Sequence, residues 1–497
     1  MIAAPFSQSI RRCKQRVLTL RCLSQQGWVA LEIFELSFWQ WIVLIQHELL
    51  LFACVFFLLG ALDDFTVDIA WLWLRVSGRA RTHRIARADW VGAPLKGTAA
   101  VFIPTWQEAN VIGATIRHML AAWPQCELRI YVGCYRNDAD TIAAVMRAAQ
   151  GDARLRLVIH DRDGPSTKAD CLNRLYCALG ADEARSGFDA RMVVFHDAED
   201  MVDPAAIALL DLAMDDAKFV QFPVLALPQA QSRWIGSHYC EEFAEAHGKA
   251  MVVRDALGAA LPAAGVGCSV SRDALAGLAR ARGDGVPFAA DSLTEDYELG
   301  LGVAALGGRC RFLRLRGEDG ELVATRAYFP DKIDHVVRQK TRWVHGIALQ
   351  GWDRVGWSSR PAEIWMRLRD RRGPLTALVL LVGYALLAIS TLGWGAALLG
   401  HVEHVQVSQG VWLLLAINFC ALIWRIAMRF AFAAREFGVV EGARAVLRLP
   451  IANIIAIMAG RRALIAYVRS LRGKGVVWDK TPHFIHPSDA IPRAEPA

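Results

Sequence analysis

The chain has 497 residues, of which 54% are hydrophobic and 21% are charged, and its formal net charge is +7. This composition is too apolar for a disordered chain, and the length excludes a small disulfide-stapled domain. Soluble domains average about 45–50% apolar residues, so the excess predicts one large soluble domain with several membrane helices. The eleven cysteines form no Cys-x-x-Cys pair, which favours free thiols over zinc ligands.

The first long apolar segment runs from Phe38 to Leu62. A membrane span needs about 20 mostly apolar residues. Residues 38–76 are therefore predicted to form one span followed by an interfacial helix over Phe65–Val76. Residues 1–37 precede this segment and contain five arginines and lysines. We treat these 37 residues as an N-terminal tail with no predicted structure.

Residues 77–370 are predicted to form the soluble domain, and short apolar runs alternate with helix-like stretches between about residues 95 and 350. Such alternation is typical of a parallel, doubly wound α/β sheet, in which ligands bind at the carboxyl ends of the strands. Helices are predicted over Glu108–Trp123 and Ala169–Gly180. The runs that predict strands are Ala99–Ile103, Leu128–Gly133, Leu155–His160, Arg191–His196 and Phe219–Phe222. The region has neither a P-loop nor a complete dinucleotide-binding glycine motif.

An acidic sequence, His196-Asp-Ala-Glu-Asp200, follows the fourth predicted strand. The carboxylates of Asp197, Glu199 and Asp200 could bind one Mg²⁺ or Mn²⁺, since these cations take oxygen ligands and bridge phosphates. The alternative is a helix N-terminus, where acidic residues interact favourably with the helix dipole. These three residues are the predicted metal ligands.

Two further sequences contain side chains suited to chemistry on a phosphate-bearing substrate. Glu295 and Asp296 could supply a general base that deprotonates an acceptor hydroxyl. The alternative is a capping sequence at the start of a helix. Lys168 follows a Pro-Ser-Thr sequence in a chain whose basic residues are mostly arginine, and it is a candidate phosphate contact.

A third sequence, Gln339-Lys-Thr-Arg-Trp343, precedes the last apolar segments. Gln339 and Arg342 lie three residues apart, on one face of a predicted helix. The guanidinium of Arg342 could bind a leaving diphosphate, and the indole of Trp343 could stack on a sugar ring. The alternative is an arginine–tryptophan pair at the membrane interface.

Residues 374–432 are predicted to form two membrane spans, and residues 433–497 an interfacial amphipathic helix over Pro450–Val468 with a tail that contains Trp478-Asp-Lys-Thr481. Arginines cluster at 75–87 and 367–372, on both sides of the central region. Because basic residues favour the cytoplasmic side of a membrane, the central domain is predicted to face the cytoplasm. These clusters flank apolar segments and form no nucleic-acid recognition motif, so no nucleic acid partner is expected.

The order of these motifs resembles that of the family 2 inverting glycosyltransferases, most closely the phage adsorption protein B-like glycosyltransferases of the bacterial inner (cytoplasmic) membrane. The resemblance implies a GT-A fold, a doubly wound α/β sheet that binds a nucleotide-diphospho-sugar, with N- and C-terminal transmembrane helices. It extends over residues 45–485 and rests on the segments Leu62–Asp64, Pro165–Asn173, His196–Asp200, Glu245–Lys249, Ala264–Gly267, Ser292–Tyr297, Arg338–Trp343 and Trp478–Thr481.

The resemblance also implies residue roles. Asp296 would be the catalytic base, with Glu295 beside it. Asp197 and Glu199 would bind a divalent metal, and because the second acid is a glutamate, Asp200 is expected to share the ion. Seven residues would bind the substrates: Thr105, Glu108 and Asp138 at the nucleoside, Lys168 at the nucleotide, and Gln339, Arg342 and Trp343 at the diphosphate and the acceptor sugar.

These roles imply transfer of a sugar from a nucleotide-diphosphate sugar, a UDP-sugar in the first instance, to the hydroxyl of a glycan or lipid-linked acceptor. A multi-pass membrane protein of this kind would synthesise an exopolysaccharide or surface glycan, and it would need an export partner if the product is a polymer. Three alternatives stay open. They are single-sugar transfer to a lipid carrier, a non-catalytic membrane receptor or scaffold, and a metal-dependent nucleotidyl or phosphoryl transferase that uses the same acids.

Overall fold

The computed structural model describes residues 38–398, 408–472 and 486–490. The described residues divide into two compact units. The first contains those up to Phe57 and those between Val382 and Ala416; the second contains those from Leu58 to Leu381 and from Ile417 onward. The predicted N-terminal tail and the Trp478–Thr481 motif lie outside the described residues.

The second unit contains eleven strands. They are β1 (His83–Ile85), β2 (Thr98–Pro104), β3 (Leu128–Tyr135), β4 (Leu155–His160), β5 (Ala190–Phe195), β6 (Phe219–Gln221), β7 (Val224–Ala226), β8 (Cys268–Ser271), β9 (Cys310–Phe312), β10 (Leu315–Gly317) and β11 (Thr325–Ala327). Seven of them form one sheet in the order β4-β3-β2-β5-β8-β6-β9. The pairs β1–β10 and β7–β11 form two small parallel sheets.

Helices connect these strands and extend beyond them at both ends. They are α1 (Phe38–Val76), α2 (Ile112–Ala122), α3 (Ala139–Ala149), α4 (Lys168–Ser186), α5 (Ala206–Ala213), α6 (His238–Glu245), α7 (Met251–Ala256), α8 (Arg272–Arg282), α9 (Glu295–Ala305), α10 (Ile333–Trp343), α11 (Gly351–Arg354), α12 (Pro361–Arg371), α13 (Gly373–Leu398), α14 (Gln409–Phe437), α15 (Val439–Leu447), α16 (Leu449–Leu471) and α17 (Pro487–Ala490). Two π-helical segments, Ala246–Ala250 and Val344–Gln350, continue α6 and α10, and a 3₁₀ turn covers Arg87–Asp89.

The central strands are apolar throughout because helices cover both faces of the sheet. In β2, Val101 and Ile103 belong to a hydrophobic cluster that includes Ile112 of α2. The intervening Phe102 belongs to a second cluster, which includes Leu175 of α4. Successive strand residues point to opposite faces, so neither face is left for polar side chains and the strand is a continuous apolar run.

The predicted parallel arrangement is confirmed for β2 to β5. The exception is β8, a strand that was not predicted, which lies between β5 and β6 and is antiparallel to both. Strands β6 and β9 are parallel to each other and run in the same direction as β2 to β5. Gly265 and Gly267, which precede β8, both have positive φ values (83° and 63°). This conformation is accessible to glycine at little cost, and it helps the chain enter the sheet in the opposite direction.

The predicted span at Phe38 and the predicted interfacial helix at Phe65 form one continuous helix, α1. Asp63 and Asp64, in the middle of this helix, form ion pairs with Arg369 and Arg372; Asp64 is 2.8 Å from the Arg372 guanidinium. Because these charges are paired, the two acids can be accommodated within a helix instead of ending it.

Four helices of the described chain are long and apolar enough to cross a membrane. They are Leu44–Val76 of α1, Gly373–Gly395 of α13, α14 and α16. This number indicates a multi-pass membrane protein, and the first three correspond to the predicted spans. The fourth is the segment for which an interfacial position is predicted. Its Ile455 packs against Val336 of α10, and its position in the membrane stays a prediction.

Candidate active site

A cavity of about 90 Å³ lies at the carboxyl ends of the sheet strands, entirely within the second unit. Its walls come from the start of α4, the loop after β5, the glycine loop before β8, the start of α9 and the end of α10. Nine of the twelve predicted site residues line it: Lys168, Asp197, Glu199, Asp200, Glu295, Asp296, Gln339, Arg342 and Trp343. The fold therefore brings together residues that are up to 175 positions apart in the sequence.

Lys168 is the first residue of α4, and its ammonium group lies among the acidic residues of the cavity. The Thr167 hydroxyl caps this helix by accepting a hydrogen bond from the Asp170 N–H. The Lys168 Nζ lies 2.6 Å from Asp197 Oδ1 and 3.9 Å from Glu295 Oε1. Burial alone would lower the pKa of Lys168, but the neighbouring carboxylates outweigh it and raise the pKa. Lys168 is therefore a permanent positive charge in the cavity.

Glu295 and Asp296 lie in the first turn of α9, and the pKa values of both are raised. Burial, with the charge of Asp296, raises the pKa of Glu295 to about 7, although Lys168 opposes the shift. Burial likewise raises the pKa of Asp296 against the attraction of Lys168. A carboxyl group with a raised pKa is a better proton acceptor near neutral pH than an ordinary one. This pair is thus suited to general-base chemistry.

Gly265 lies against Asp296. A Cβ atom at this position would be 2.6 Å from Asp296 Oδ2, and the residue has a φ of 83°. Only glycine fits both the space and the backbone conformation. The glycine loop therefore positions the carboxylate of Asp296 closely.

We expect Gly265→Ala to lower the turnover number strongly, because the new methyl group would displace the Asp296 carboxylate. Gly285→Ala is the matched control: Gly285 also has a positive φ (77°), but a Cβ there meets nothing within 4 Å. Both variants incur the same kind of backbone strain. A difference between their steady-state kinetics therefore reports the displacement of the Asp296 carboxylate. Equal losses in the two variants would contradict the positioning role.

The acids after β5 do not assemble as a set of three. Asp200 is buried (2% exposed), and its Oδ2 lies 2.8 Å from His196 Nδ1 and accepts a hydrogen bond from the Asp197 N–H. No group of three or more His, Cys, Asp or Glu side chains is arranged for a metal ion anywhere in the described part of the chain. In this arrangement the Asp200 carboxylate supports the loop after β5, and its sharing of the ion stays a prediction.

Asp197 and Glu199 remain suitable as a pair. Mg²⁺ in phosphate-transfer sites commonly uses one or two carboxylates and takes its remaining ligands from substrate phosphates and water. The Asp197 side chain is about one-third exposed, and both residues face the cavity. Two carboxylates on an open cavity wall fit a divalent cation that arrives with a diphosphate.

The end of α10 forms the opposite wall of the cavity. Gln339 is buried, and its Oε1 accepts a hydrogen bond of 2.5 Å from the Tyr239 hydroxyl. The Tyr239 ring packs edge-on against Trp343 at 6.0 Å. Arg342 makes no hydrogen bond or ion pair to a described residue, although Glu295 and Asp296 act on it electrostatically. Its guanidinium is therefore available to an anionic ligand.

The three predicted nucleoside contacts lie outside this cavity, at the adjacent ends of β2 and β3. The Thr105 hydroxyl donates to the Gly133 carbonyl at 2.8 Å. Asp138 caps α3 by accepting from the Thr141 N–H, and the Glu108 N–H donates to the Thr141 hydroxyl. The fold thus brings these three residues together, and their contact with a nucleoside stays a prediction.

Sequence reasoning missed Tyr239, Phe243 and Phe329. Tyr239 is fully buried and stacks on Phe329 at 4.5 Å, while Phe243 and Phe329 line the cavity. Tyr239 precedes Gln339 by one hundred residues, and it lies in none of the motifs that the sequence offers. No local signal could have found this aromatic wall, because it forms only when α6 packs against α10.

The Glu245–Lys249 motif has a structural role instead of a place in the cavity. Lys249 forms ion pairs with Asp68 of α1 and, at 2.6 Å, with Glu245. Arg425 of α14 lies 2.9 Å from Glu245. The motif therefore joins the α/β domain to two candidate membrane helices.

The sequence matches the family model described as glycosyltransferase-like family 2 over residues 97–346, half of the chain. The chain belongs to this glycosyltransferase family. Its seven-stranded mixed sheet is accordingly the GT-A-like core of a family 2 transferase domain, and the cavity lies at the strand ends where such sheets bind ligands.

Two curated relatives are similar along most of the chain. They are named bacteriophage adsorption protein B in Escherichia coli strain K12 and bacteriophage N4 adsorption protein B in Escherichia coli O157:H7. Each is 32% identical over 459 residues, which cover 87% of this chain. The glycosyltransferase chain spans only about 61% of the length of these relatives.

Solved glycosyltransferase structures are more distant. One is a mannosyltransferase from Pyrobaculum calidifontis in complex with GDP-Man and Mn²⁺; it is 17% identical, with a TM-score of 0.45, and covers 80% of this chain and 98% of its own. Another is glucosyl-3-phosphoglycerate synthase from Mycobacterium tuberculosis in complex with Mg²⁺ and UDP; it is 17% identical, with a TM-score of 0.34, and covers 55% of this chain and 85% of its own. Because both TM-scores are below 0.5, the assignment of this chain to the glycosyltransferase family rests on the family match.

Proposed function

We propose that the protein is a membrane-bound, inverting glycosyltransferase that moves a sugar from a nucleotide-diphosphate sugar to an acceptor hydroxyl. The observation that carries this proposal is the cavity itself. One wall contains the buried Glu295 and the half-buried Asp296, both with raised pKa values, and facing walls contain a lysine, two further acids and an arginine. A general base, groups for a diphosphate and a carboxylate pair for a cation are what such a transfer requires.

In the proposed reaction, the acceptor hydroxyl attacks the anomeric carbon while the bond from that carbon to the diphosphate oxygen breaks. The Asp296 carboxylate accepts the hydroxyl proton, and the configuration at the anomeric carbon inverts. Arg342 pairs with the departing diphosphate, since guanidinium groups bind phosphate oxygens bidentately. Trp343 offers a flat apolar face to the acceptor sugar.

Asp197 and Glu199 are the residues proposed to hold a divalent cation, Mg²⁺ or Mn²⁺. When bound, such a cation neutralises charge on the diphosphate. Lys168 pairs with Asp197 in the present structure. We expect its ammonium group to turn toward a phosphate when the donor sugar enters, because a phosphate offers it a second anionic partner.

The proposed donor is a UDP-sugar, held by Thr105, Glu108 and Asp138, and the proposed acceptor is a glycan or a lipid-linked sugar. The product is proposed to be an exopolysaccharide or surface glycan made on the cytoplasmic side of a bacterial inner membrane, with an export partner if it is a polymer. The arginine clusters beside the candidate spans support this orientation.

The proposal is tested by supplying nucleotide sugars one at a time to membranes that contain the full chain, with Mg²⁺ or Mn²⁺. We expect release of a nucleoside diphosphate and a labelled glycan from one donor, and loss of both in Asp197→Asn. Asp216→Asn, which removes an exposed acid that does not line the cavity, should behave like the unaltered protein. Release of pyrophosphate would instead indicate nucleotidyl transfer, and no turnover of any donor would favour a non-catalytic receptor.

The pH dependence of this activity follows from the raised pKa values of Glu295 and Asp296. A base acts only when deprotonated, so kcat/KM should fall roughly tenfold per pH unit once the pH drops below the raised pKa of Asp296. The expected acid limb lies above the range of an ordinary carboxyl group.

Unfolding at low pH cannot account for this fall in kcat/KM. A carboxyl group whose folded pKa is raised stabilises the fold fully below its ordinary pKa, and this contribution is lost as the pH rises through the folded value. Over the same range the fold should therefore gain stability as activity falls, which thermal unfolding can follow. In Glu295→Gln the limb should persist, since Asp296 still titrates. An activity that stays constant down to pH 5 would exclude the pair as the base.

A further inference from the structure

A second and larger cavity, of about 750 Å³, lies elsewhere in the same unit and shares no lining residue with the candidate active site. Its walls are the end of α1 and the chain that follows it, the end of α7, the segment from β9 to β10, and the last turn of α14. Two helices that could span a membrane therefore end at this cavity. We call it the arginine cavity, after the residues that line it.

The charge of the arginine cavity is strongly positive. Among the described residues that line it, eight are arginines and only Asp255 is acidic. The carboxylate of Glu436 lies behind the wall, where its Oε1 is 2.7 Å from Arg314, 2.6 Å from Arg316 and 3.9 Å from Arg435. One carboxylate cannot neutralise three guanidinium groups.

Arg314 shows the effect of this imbalance. Its side chain is only 8% exposed, and within the described chain its Nε has no hydrogen-bond partner. Burial and the neighbouring arginines lower the pKa of Arg314 to about 10, although Glu436 opposes the shift. A buried guanidinium with an unused donor and like-charged neighbours is stabilised when an anion binds.

The position of the cavity indicates where that anion comes from. The candidate span of α1 ends at Val76, and that of α14 at Phe437. Trp71 and Trp73, in the last turns of α1, line the cavity, and the Arg79 guanidinium lies over the Trp73 ring at 4.7 Å. Tryptophan and arginine at the ends of membrane helices are typical of the headgroup region. Basic cavities at this level bind the headgroups of anionic lipids.

We propose that the arginine cavity binds the phosphate headgroup of an anionic phospholipid. The guanidinium groups of Arg309 and Arg314 on the β9–β10 side, with Arg79 on the α1 side, donate hydrogen bonds to the phosphate oxygens. The acyl chains leave along the apolar surface of α1. The site is independent of the proposed transfer reaction, so its test needs no turnover.

The test uses the purified full chain in neutral detergent, with bound lipid counted by native mass spectrometry. Dioleoyl-phosphatidylglycerol and dioleoyl-phosphatidylcholine are titrated separately. We expect phosphatidylglycerol to bind more tightly, and Arg79→Gln/Arg309→Gln to weaken it by roughly tenfold or more, since each basic residue near a headgroup contributes to binding. Both arginines are exposed, so their replacement should leave thermal unfolding unchanged.

The matched control is Arg147→Gln/Arg280→Gln, which removes the same charge from exposed positions that do not line the cavity. It should bind phosphatidylglycerol as the unaltered protein does. Equal weakening in the two double variants would overturn the proposal, because only diffuse surface charge would then matter. Equal binding of the two lipids would overturn it too. Displacement of phosphatidylglycerol by an equal concentration of inorganic phosphate would assign the site to a soluble anion instead.

Discussion

Asp296→Asn is expected to lower the turnover number by about 10³-fold, because a general base contributes typically 10²–10⁴ to a rate. The change is nearly isosteric, so the side chain can keep its hydrogen bond from the Tyr297 N–H, which is 2.7 Å long in the unaltered protein. What it loses is the ability to accept a proton. The measurement is nucleoside diphosphate release at saturating donor, in parallel with calorimetric binding of UDP and the metal.

The control for this prediction is a comparison of UDP affinity with turnover number in the same variant. UDP affinity should change little in Asp296→Asn, since the proposed nucleoside contacts lie at the ends of β2 and β3. Asp216→Asn should alter neither quantity. A variant at Asp296 that turns over at the normal rate would move the catalytic role to Glu295, whose raised pKa also suits a base, and Glu295→Gln would then be the inactive variant.

The second large effect concerns stability. Arg448 lies between α15 and α16 with its side chain fully buried, and its guanidinium is 2.8 Å from Glu241 Oε2 and 2.6 Å from Glu441 Oε1. It also donates to the Arg233 carbonyl at 2.8 Å. Removing one partner from a buried ion pair costs about 3–5 kcal/mol. Glu241 keeps Arg429 at 3.1 Å and Glu441 keeps Arg444 at 3.1 Å, so we expect a loss at the lower end of that range. Arg448→Met should lower the free energy of unfolding by that amount.

The measurement is urea unfolding in detergent, followed by tryptophan fluorescence. The matched control is Lys218→Met, which breaks an ion pair with Asp273 whose side chains are 49% and 65% exposed; exposed pairs contribute at most about 1 kcal/mol. Arg448→Lys, which keeps the charge but not the bidentate geometry, should fall between the two. A loss in Arg448→Met no larger than in the control would show that the network is solvated in the folded protein.

Loss of Arg448 should also reduce turnover. Its partner Glu241 lies in α6 beside Tyr239, and Tyr239 holds Gln339 in the cavity wall. The network therefore connects the start of the apolar helix α16 to the proposed diphosphate site.

Local patterns predicted much of the domain. Strands β2 to β5 are continuous apolar runs because helices cover both faces of the sheet, and their parallel order follows from the helices between them. The acids after β5 and at the start of α9 follow short motifs, which is why nine of the predicted site residues meet in one cavity. The sequence could also place the apolar helices, since a span needs only length and apolar content.

Other features depend on partners that are remote in sequence. The insertion of β8 between β5 and β6 requires the glycine loop and strand pairing across more than seventy residues. Asp63 and Asp64 can lie within α1 because Arg369 and Arg372, about three hundred residues away, neutralise them. Neither outcome is encoded in a local pattern.

By itself, the sequence determined a basic, mildly apolar chain with a family 2 domain, acids after its predicted strands and arginines beside its apolar helices. Tertiary structure decided how these residues act. It buried Asp200 against His196, raised the pKa values of Glu295 and Asp296, and grouped arginines from four segments around one cavity. The physical reason is that burial and charge neighbourhood set the energy of an ionisable group, and both are properties of the folded chain.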